Sequence, residues 1–484
     1  MRTMTRAVVL ALAAAMAASA MASAQEQVPE CRNLRYRSNF RLNGAQQYLT
    51  RARTTSFPDQ KRAALNDAAR VLGEAAQDRG ADQATLWYLF GQMYALRGDL
   101  VGTDSAWTRA EAATDAECRR AIQRERAALW VPLVQEGAQL ASQNSYDSAL
   151  VLLRKANTIY RDDPRAYFTM GQTFYAQEKL DSAIVYFRRA STAGTAPQQA
   201  DTRATAGMNA ARLAQQADQL PVAESLYRAY AQLRPRDVEG ITRLAGVLVA
   251  QGRNDEASRI YDSLLTNADS MAPADLFDLG VALYNQRRLP LAARAFEANV
   301  RKSPYDRDGQ YNLANVYLAM SDTVRTLEAA KRLVVVDPHN RQSLQLLASA
   351  YSQIGRGLRD QALRAQAARD TATVRRLNPQ VRAYQDSTVR ALAQSDSLDW
   401  EIRIARFEPR DSTAGIQGMV RNLQAGELAG FNLVLDFVNG AGEVLATERV
   451  EIPTLSQAGN PGSAYDFNLT ASARGILAYR YRQN

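Results

Sequence analysis

Small residues return along this chain at a near-fixed interval, and that interval constrains the fold more than any other feature. Gly91, Gly137, Gly171, Ala211, Ala245, Gly280, Ala314 and Ala348 each end a short apolar quartet. Successive separations are 46, 34, 40, 34, 35, 34 and 34, so five of seven fall within one residue of 34. The segment "AYFTMGQTFYAQEKLDSAIVYFRRA" (166–190) shows one unit: an apolar face at helical spacing, a charged turn, then a second such face. A small residue where two antiparallel helices cross lets them approach closely, while large neighbours at i, i+3, i+4 and i+7 fill the space to the next pair. One pair cannot bury its own apolar face, so pairs must stack. The longer intervals before Gly137 and around "STAGTAPQQAD" imply one lengthened helix and one lengthened loop.

These positions resemble the tetratricopeptide repeat (TPR), with its W-x2-L-G-x2-Y, A-x3-F and Pro pattern. Trp87, Phe90, Gly91 and Tyr94 occupy the opening positions of the first clear unit, with Trp107 and Ala110 in its second helix. Tyr167, Met170, Gly171 and Phe174 are followed by Ala183, Phe187 and Ala190. Leu276, Leu279, Gly280 and Leu283 are followed by Ala292, Phe296 and Pro304, and Pro235 and Pro338 hold the same terminal position. Thr326 and Asn299 depart from the pattern, and the second helix of the unit near Leu344 drifts. The resemblance implies a mostly α fold, a TPR-type right-handed α-solenoid over residues 81–379 with a concave inner wall. Residues 43–79 read as a degenerate first hairpin or cap within an N-terminal segment, 25–80.

In such arrays the inner wall takes residues three before, and one and four after, the small residue. Here those are Phe168, Gln172 and Tyr175, then Met208, Arg212 and Gln215. Later units give Phe277, Val281 and Tyr284, then Tyr311, Asn315 and Leu318. Aromatic and amide side chains facing a groove suit an extended peptide or a helix of a protein partner. Lysine is missing from these positions, which argues against a grip on a C-terminal carboxylate.

The period ends at Pro379, and 380–400 reads as a capping or linker helix. From Glu401 the pattern alternates with period two, in "WEIRIARF", "TAGIQGMVRN", "GFNLVLDFVNGAGEVLATERVEI", "SAYDFNL" and "GILAYRYR". Ile402, Ile404 and Ala405 lie near the apolar positions of the first of these. The "NGAG" stretch reads as a hairpin turn. Six or seven short strands predict a small C-terminal all-β, Ig-like sandwich over 401–484. "GMVRN", "LVLDFVNGAGEVL" and "YDFNL" resemble the FxLYD-type extracellular domain of bacteria, which implies an accessory module without assigned chemistry.

At the other end, Arg2 and Arg6 precede the apolar run "AVVLALAAAMAASAMA", and "ASA" closes at Ala24. This is the layout of a secretory signal peptide over 1–24, with the mature chain beginning at Gln25; the alternative is an N-terminal membrane anchor. Export makes a disulfide between the two cysteines, Cys31 and Cys118, the expected state. Closing that loop would contribute about 3–5 kcal/mol in the chain-entropy model. The net charge of +9 comes from single arginines spread among acids, a pattern of solvated helix surface rather than of nucleic-acid binding, with a weak pull toward anionic headgroups or acidic partners.

The chain has one histidine, His339, in the inter-repeat loop "DPHNRQ", which leaves little material for a triad or a zinc site. No phosphate loop or calcium loop is present, so no catalytic residue, cofactor or metal is expected. The expected role is an exported, non-enzymatic scaffold, periplasmic or outer-membrane-associated, acting in cell-envelope assembly or secretion. The rival readings are a carbohydrate- or peptidoglycan-associated binder and an enzyme hidden among the acidic loops.

Overall fold

The structure is a computed structural model and describes residues 39–484. The described residues form two compact units, divided between Arg236 and Asp237. Cys31 and the signal-like segment lie outside the described residues. Cys118 is fully buried beside Ala84, Ala121 and Tyr88.

Among the described residues of the first unit, ten helices pair in chain order: α1 (Phe40–Thr54) with α2 (Pro58–Ala76), and α3 (Gln83–Leu96) with α4 (Leu100–Ala112). Then come α5 (Ala116–Ser142) with α6 (Tyr146–Ile159), α7 (Pro164–Ala176) with α8 (Leu180–Thr192), and α9 (Ala200–Gln216) with α10 (Leu220–Leu233). The 27-residue α5 absorbs the first long interval, and a loop with a short 3-10 turn at Pro197–Gln199 absorbs the second. The extra length of α5 carries the buried Arg126. Its guanidinium donates to Asp104 (2.5 Å), Glu111 (2.9 Å) and the Ile159 carbonyl (3.0 Å), so the inserted turns are tied to α4 and α6.

The second unit continues the pairing with α11 (Val238–Ala250) and α12 (Asn254–Thr266), α13 (Pro273–Asn285) and α14 (Leu289–Lys302), α15 (Arg307–Ala319) and α16 (Thr323–Val336). It ends its helical part in two long helices, α17 (Arg341–Ala367) and α18 (Thr371–Asp396). Pro379 does not end the array as the sequence predicts. It lies inside α18, where the missing amide is outweighed by burial of Leu377 and Val381 on either side. The stretch expected as a separate capping helix is thus the second half of the last hairpin.

The small residues sit where expected. A Cβ on Gly91 would stand 2.1 Å from the Trp107 ring, one on Gly171 2.7 Å from Phe187, and one on Gly280 2.7 Å from Phe296. Each partner lies sixteen residues on, in the second helix of the same hairpin. Where the small residue is alanine, at Ala211 and Ala245, the residue sixteen on is the buried Tyr227 or Tyr261. The two departures are absorbed locally. Thr326 is buried and its hydroxyl donates to the Asp322 carbonyl (2.7 Å), while Asn299 donates to the carbonyl of Pro273 (3.0 Å).

A second repeated device turns each hairpin. Gly98, Asn144, Glu178, Asp218, Gly252, Arg287, Ser321 and Arg369 all have φ between 57° and 79°. Each ends a first helix in the left-handed conformation, and the following amide donates back to the carbonyl five residues earlier, as from Lys179 to Phe174 (2.9 Å) and from Arg288 to Leu283 (2.9 Å). Six of these eight residues are not glycine, so the backbone accepts a left-handed residue to satisfy the helix end.

Six strands follow among the described residues: β1 (Trp400–Pro409), β2 (Ala414–Asn422), β3 (Phe431–Val438), β4 (Val444–Ile452), β5 (Ala464–Ala471) and β6 (Ala478–Gln483). They form two three-stranded antiparallel sheets, ordered β1-β2-β5 and β4-β3-β6. The core between them holds Trp400, Ile402, Ile416, Val420, Leu433, Leu435 and Phe437. Ala405 is exposed rather than inward, because a bulge between Ile404 and Arg406 shifts the register there. Asn422, the last residue of "GMVRN", is fully buried and donates to the carbonyls of Gly426 and Ser456 (both 2.8 Å), fixing the loop after β2.

Candidate functional site

The predicted inner-face residues divide by exposure, unit by unit. In the first unit Gln172 and Tyr175 of α7 are half-exposed, Arg212 of α9 is exposed, and Gln215 is half-buried, accepting from the Tyr227 hydroxyl (3.1 Å). Phe168 and Met208 are buried, so the expectation that they line a groove is corrected. The reason lies in the glycine. Gly171 leaves room for Phe187 to lie against α7, and Phe168 leans back over it edge-on, with ring centroids 5.4 Å apart.

In the second unit the same offset places Phe277 against Phe296, centroids 5.8 Å apart, yet leaves Phe277 half-exposed. Tyr284, one turn after Gly280, is 40% exposed. On the neighbouring α15, Tyr311 is half-exposed with the Arg307 guanidinium 5.1 Å above its ring. Asn315 donates to the Tyr311 carbonyl (2.9 Å), which leaves its side-chain oxygen available to accept. Phe277, Tyr284, Tyr311 and Asn315 therefore make an aromatic and amide patch on two adjacent first helices.

One polar cluster at the same offsets escapes the sequence reading. Three before and one after Gly91 stand Tyr88 and Gln92. The Tyr88 hydroxyl donates to Glu125 of α5, and Gln92 donates to the Tyr88 oxygen (2.7 Å) and to Glu125 (3.4 Å). Burial raises the Glu125 pKa above the ordinary carboxylate value, against the pull of those two donors. Applying the offset rule to the first repeat finds Tyr88 and Gln92. Glu125 carries no signal, because it sits on the inserted turns of α5.

An open cleft of about 480 Å3 lies between α14 and α16, lined by Glu297, Arg301, Gln310, Tyr317, Arg325 and Arg332. Three of its polar groups interact: Tyr317 donates to Glu297, and Arg325 lies 3.6 Å from the same carboxylate. Burial and that bond hold the Tyr317 hydroxyl above its usual pKa.

From sequence, His339 has no role beyond starting a helix. In the structure it stands at the seam between the sandwich and the turn joining α16 to α17. The imidazole stacks on Trp400 with centroids 4.1 Å apart and 8° between planes. Its backbone amide donates to the Tyr481 hydroxyl (3.0 Å) and its carbonyl accepts from the Ile402 amide (3.0 Å). The Tyr481 hydroxyl donates in turn to the buried Asp337 (2.6 Å), whose other oxygen accepts from Arg307 (2.9 Å) and Ser343 (3.1 Å). A second contact presses the β3–β4 turn onto the end of α14. A Cβ on Gly440 would stand 2.6 Å from the Lys302 carbonyl, and one on Gly442 2.2 Å from the Tyr305 ring. Burial lowers the His339 pKa, partly offset by Asp337 and Asp399.

Among the described residues no group of three or more His, Cys, Asp and Glu side chains is placed to hold a metal. No described helix is long and apolar enough to cross a membrane. The fold defines a helical-hairpin repeat protein of tetratricopeptide type that carries a small β-sandwich. No family model matches the chain, and no curated protein matches it. Among solved structures it is similar to MamA at 15% identity, over 38% of this chain and 91% of that one, with a TM-score of 0.26. It is similar to YrrB, described as a TPR protein with an unusual peptide-binding site, at 18% identity over 44% and 89%, TM-score 0.26. The C-terminal part of a TPR repeat-containing protein from Cytophaga hutchinsonii gives 15% identity over 54% and 98%, TM-score 0.33. At these values the likeness carries no functional inference.

Proposed function

We propose that this protein is an exported, non-enzymatic scaffold that holds a protein or peptide segment against the first helices of its repeats, in cell-envelope assembly or secretion. The observation that carries this reading is the patch formed by Phe277, Tyr284, Tyr311 and Asn315: three aromatic rings edged by one amide, half-exposed to exposed on two adjacent first helices. Such a surface supplies contact area from rings at low entropic cost and hydrogen bonds from amides. In the first unit Gln172, Tyr175 and Arg212 extend the same chemistry. The sandwich is assigned to the FxLYD type on "GMVRN" and "YDFNL", as an accessory module. The signal-like N-terminus supports the periplasmic or outer-membrane setting, and an oxidised Cys31–Cys118 pair belongs to the same proposal.

Crosslinking in native envelopes followed by partner identification tests it. Replacing Tyr284 and Tyr311 together by alanine should lower capture of a defined partner at least tenfold with the fold intact. Unchanged capture, or retention on protein-free cell-wall polysaccharide that the double variant loses, would overturn the protein-scaffold reading in favour of a sugar binder.

A further inference from the structure

The last hairpin outgrows the array it closes. Helix α17 has 27 residues against 14 in α16, so its second half and the first half of α18 run on as a two-helix arm about 20 Å beyond α16. The arm closes where Gly355 meets Tyr384, a Cβ there standing 3.3 Å from the tyrosine Cβ, and its own interior is only a thin seam through Ala362, Leu377 and Val381.

Its charge is one-sided. Residues 355–390 contain eight arginines and three aspartates, a net of +5 out of +9 for the whole chain. Elsewhere arginines are commonly neutralised, as Arg126 is by Asp104 and Glu111, Arg165 by Asp163, and Arg307 by Asp337. Among the described residues, no carboxylate forms an ion pair with any of these eight. Asp370, the acid at the tip, caps α18 by accepting from the Thr373 amide (3.0 Å), and the Arg376 charge acts on it without a direct ion pair. On α18, Arg375, Arg376, Arg382 and Arg390 are exposed and fall within about a third of the helix circumference, opposite the buried Leu377, Val381 and Ala391; the exposed Asp386 shares that face, which leaves it a net charge of +3. On α17, Arg356 and Arg359 share the outward face with the exposed Leu363.

We infer that this arm is a docking surface for an anionic phospholipid membrane. Four to eight arginines on one amphipathic helical element form the pattern that adsorbs to acidic headgroups, and each guanidinium can grip a phosphate bidentately. The charges are exposed along the outer faces of two paired helices, an extended arrangement that suits a planar array of phosphates. Leu363 and Val389, both exposed, give the stripe a shallow apolar edge for the acyl boundary. This inference draws on the exported setting proposed above for the supply of bilayers, but not on the peptide patch.

The test is co-sedimentation of the full chain with vesicles of phosphatidylglycerol and phosphatidylcholine, against phosphatidylcholine alone, at low and high salt. Binding should require the anionic lipid and fall at least tenfold as salt rises from about 0.05 to 0.5 M, where the Debye length drops several-fold. The variant R375E/R376E/R382E/R390E should lose at least tenfold in binding with an unchanged helical circular-dichroism spectrum. The matching Arg→Lys variant should retain most of the binding, which keeps the test decisive if the first variant folds poorly. Equal binding to neutral vesicles, undiminished binding by the reversed variant, or binding to single-stranded DNA or polyglutamate without binding to vesicles would each overturn the inference. Partner capture by the Tyr284 and Tyr311 patch, measured in detergent, should not respond to the arm variants, so the two readings fail separately.

Discussion

Two seams hold this molecule's parts in place, and they use opposite physics. Within each hairpin the seam is apolar and steric, a glycine under an aromatic ring, as at Gly171 and Phe187. Between the sandwich and the α16–α17 turn the seam is polar and directional. There a carboxylate is shared by an arginine, a serine and a tyrosine, beside a histidine stacked on tryptophan. The first kind should be sensitive to volume and indifferent to pH. The second should be sensitive to the loss of one polar atom and to protonation.

The largest effect is expected at the polar seam. Asp337→Ala leaves the buried end of Arg307 and the Tyr481 hydroxyl without their acceptor and should cost about 3–5 kcal/mol in denaturant unfolding of the second unit. Tyr481→Phe, which removes one donor, should cost about 1–2 kcal/mol. If the two substitutions add without coupling, the shared carboxylate is not what joins the modules.

Next comes the steric seam. Gly91→Ala places a methyl group 2.1 Å from a buried tryptophan ring and should destabilise by about 3 kcal/mol; Gly280→Ala, at 2.7 Å from Phe296, should cost about 1–2 kcal/mol. Neither loss should vary with pH.

Smaller again is the pH response. His339 has a folded pKa below its ordinary value near 6.5, so the unfolded chain binds the proton more readily. The associated stability is full above about 6.5 and is lost as pH falls through the lower folded value. Unfolding of the second unit followed by Trp400 fluorescence should show that decline. His339→Gln should flatten it, and an unchanged profile in that variant would remove the histidine from the seam's energetics.

The smallest effect has the opposite sign. Gly357 lies inside α17, and a methyl group added there would meet nothing within 4 Å, so Gly357→Ala should stabilise by up to about 1 kcal/mol through helix propensity alone. One substitution, made at Gly91, Gly280 and Gly357, should thus order itself by the distance a Cβ would have to its neighbour.

The steric seam was legible in the sequence because it repeats. Gly91 with Trp107, Gly171 with Phe187 and Gly280 with Phe296 share a sixteen-residue offset, which a periodic reading finds. The turns were not legible at Glu178, Arg287, Ser321 and Arg369. Nothing in those residue types favours a left-handed backbone; the helix end imposes it, at a cost that glycine at the same place in Gly98 and Gly252 avoids. Pro379 misled for a related reason, since its local preference to end a helix was overridden by packing on both sides. The polar seam was invisible because Asp337 and Tyr481 lie 144 residues apart and neither belongs to a repeated pattern. Of the predicted inner-face residues, Tyr284 is exposed and Tyr311 half-exposed, whereas Phe168 and Met208 are buried, because an offset fixes the direction of a side chain without saying what the neighbouring ring will cover.

The main-chain groups of His339 carry a mechanical implication. Its amide and carbonyl are both bonded to the sandwich, one to a side chain of β6 and the other to the backbone of β1. A load applied to the sandwich therefore reaches the polypeptide spine of the α16–α17 connection directly, and with it the root of the basic arm. The C-terminal module is mounted as a lever rather than trailing as a pennant, and tension on one would be felt as torque on the other.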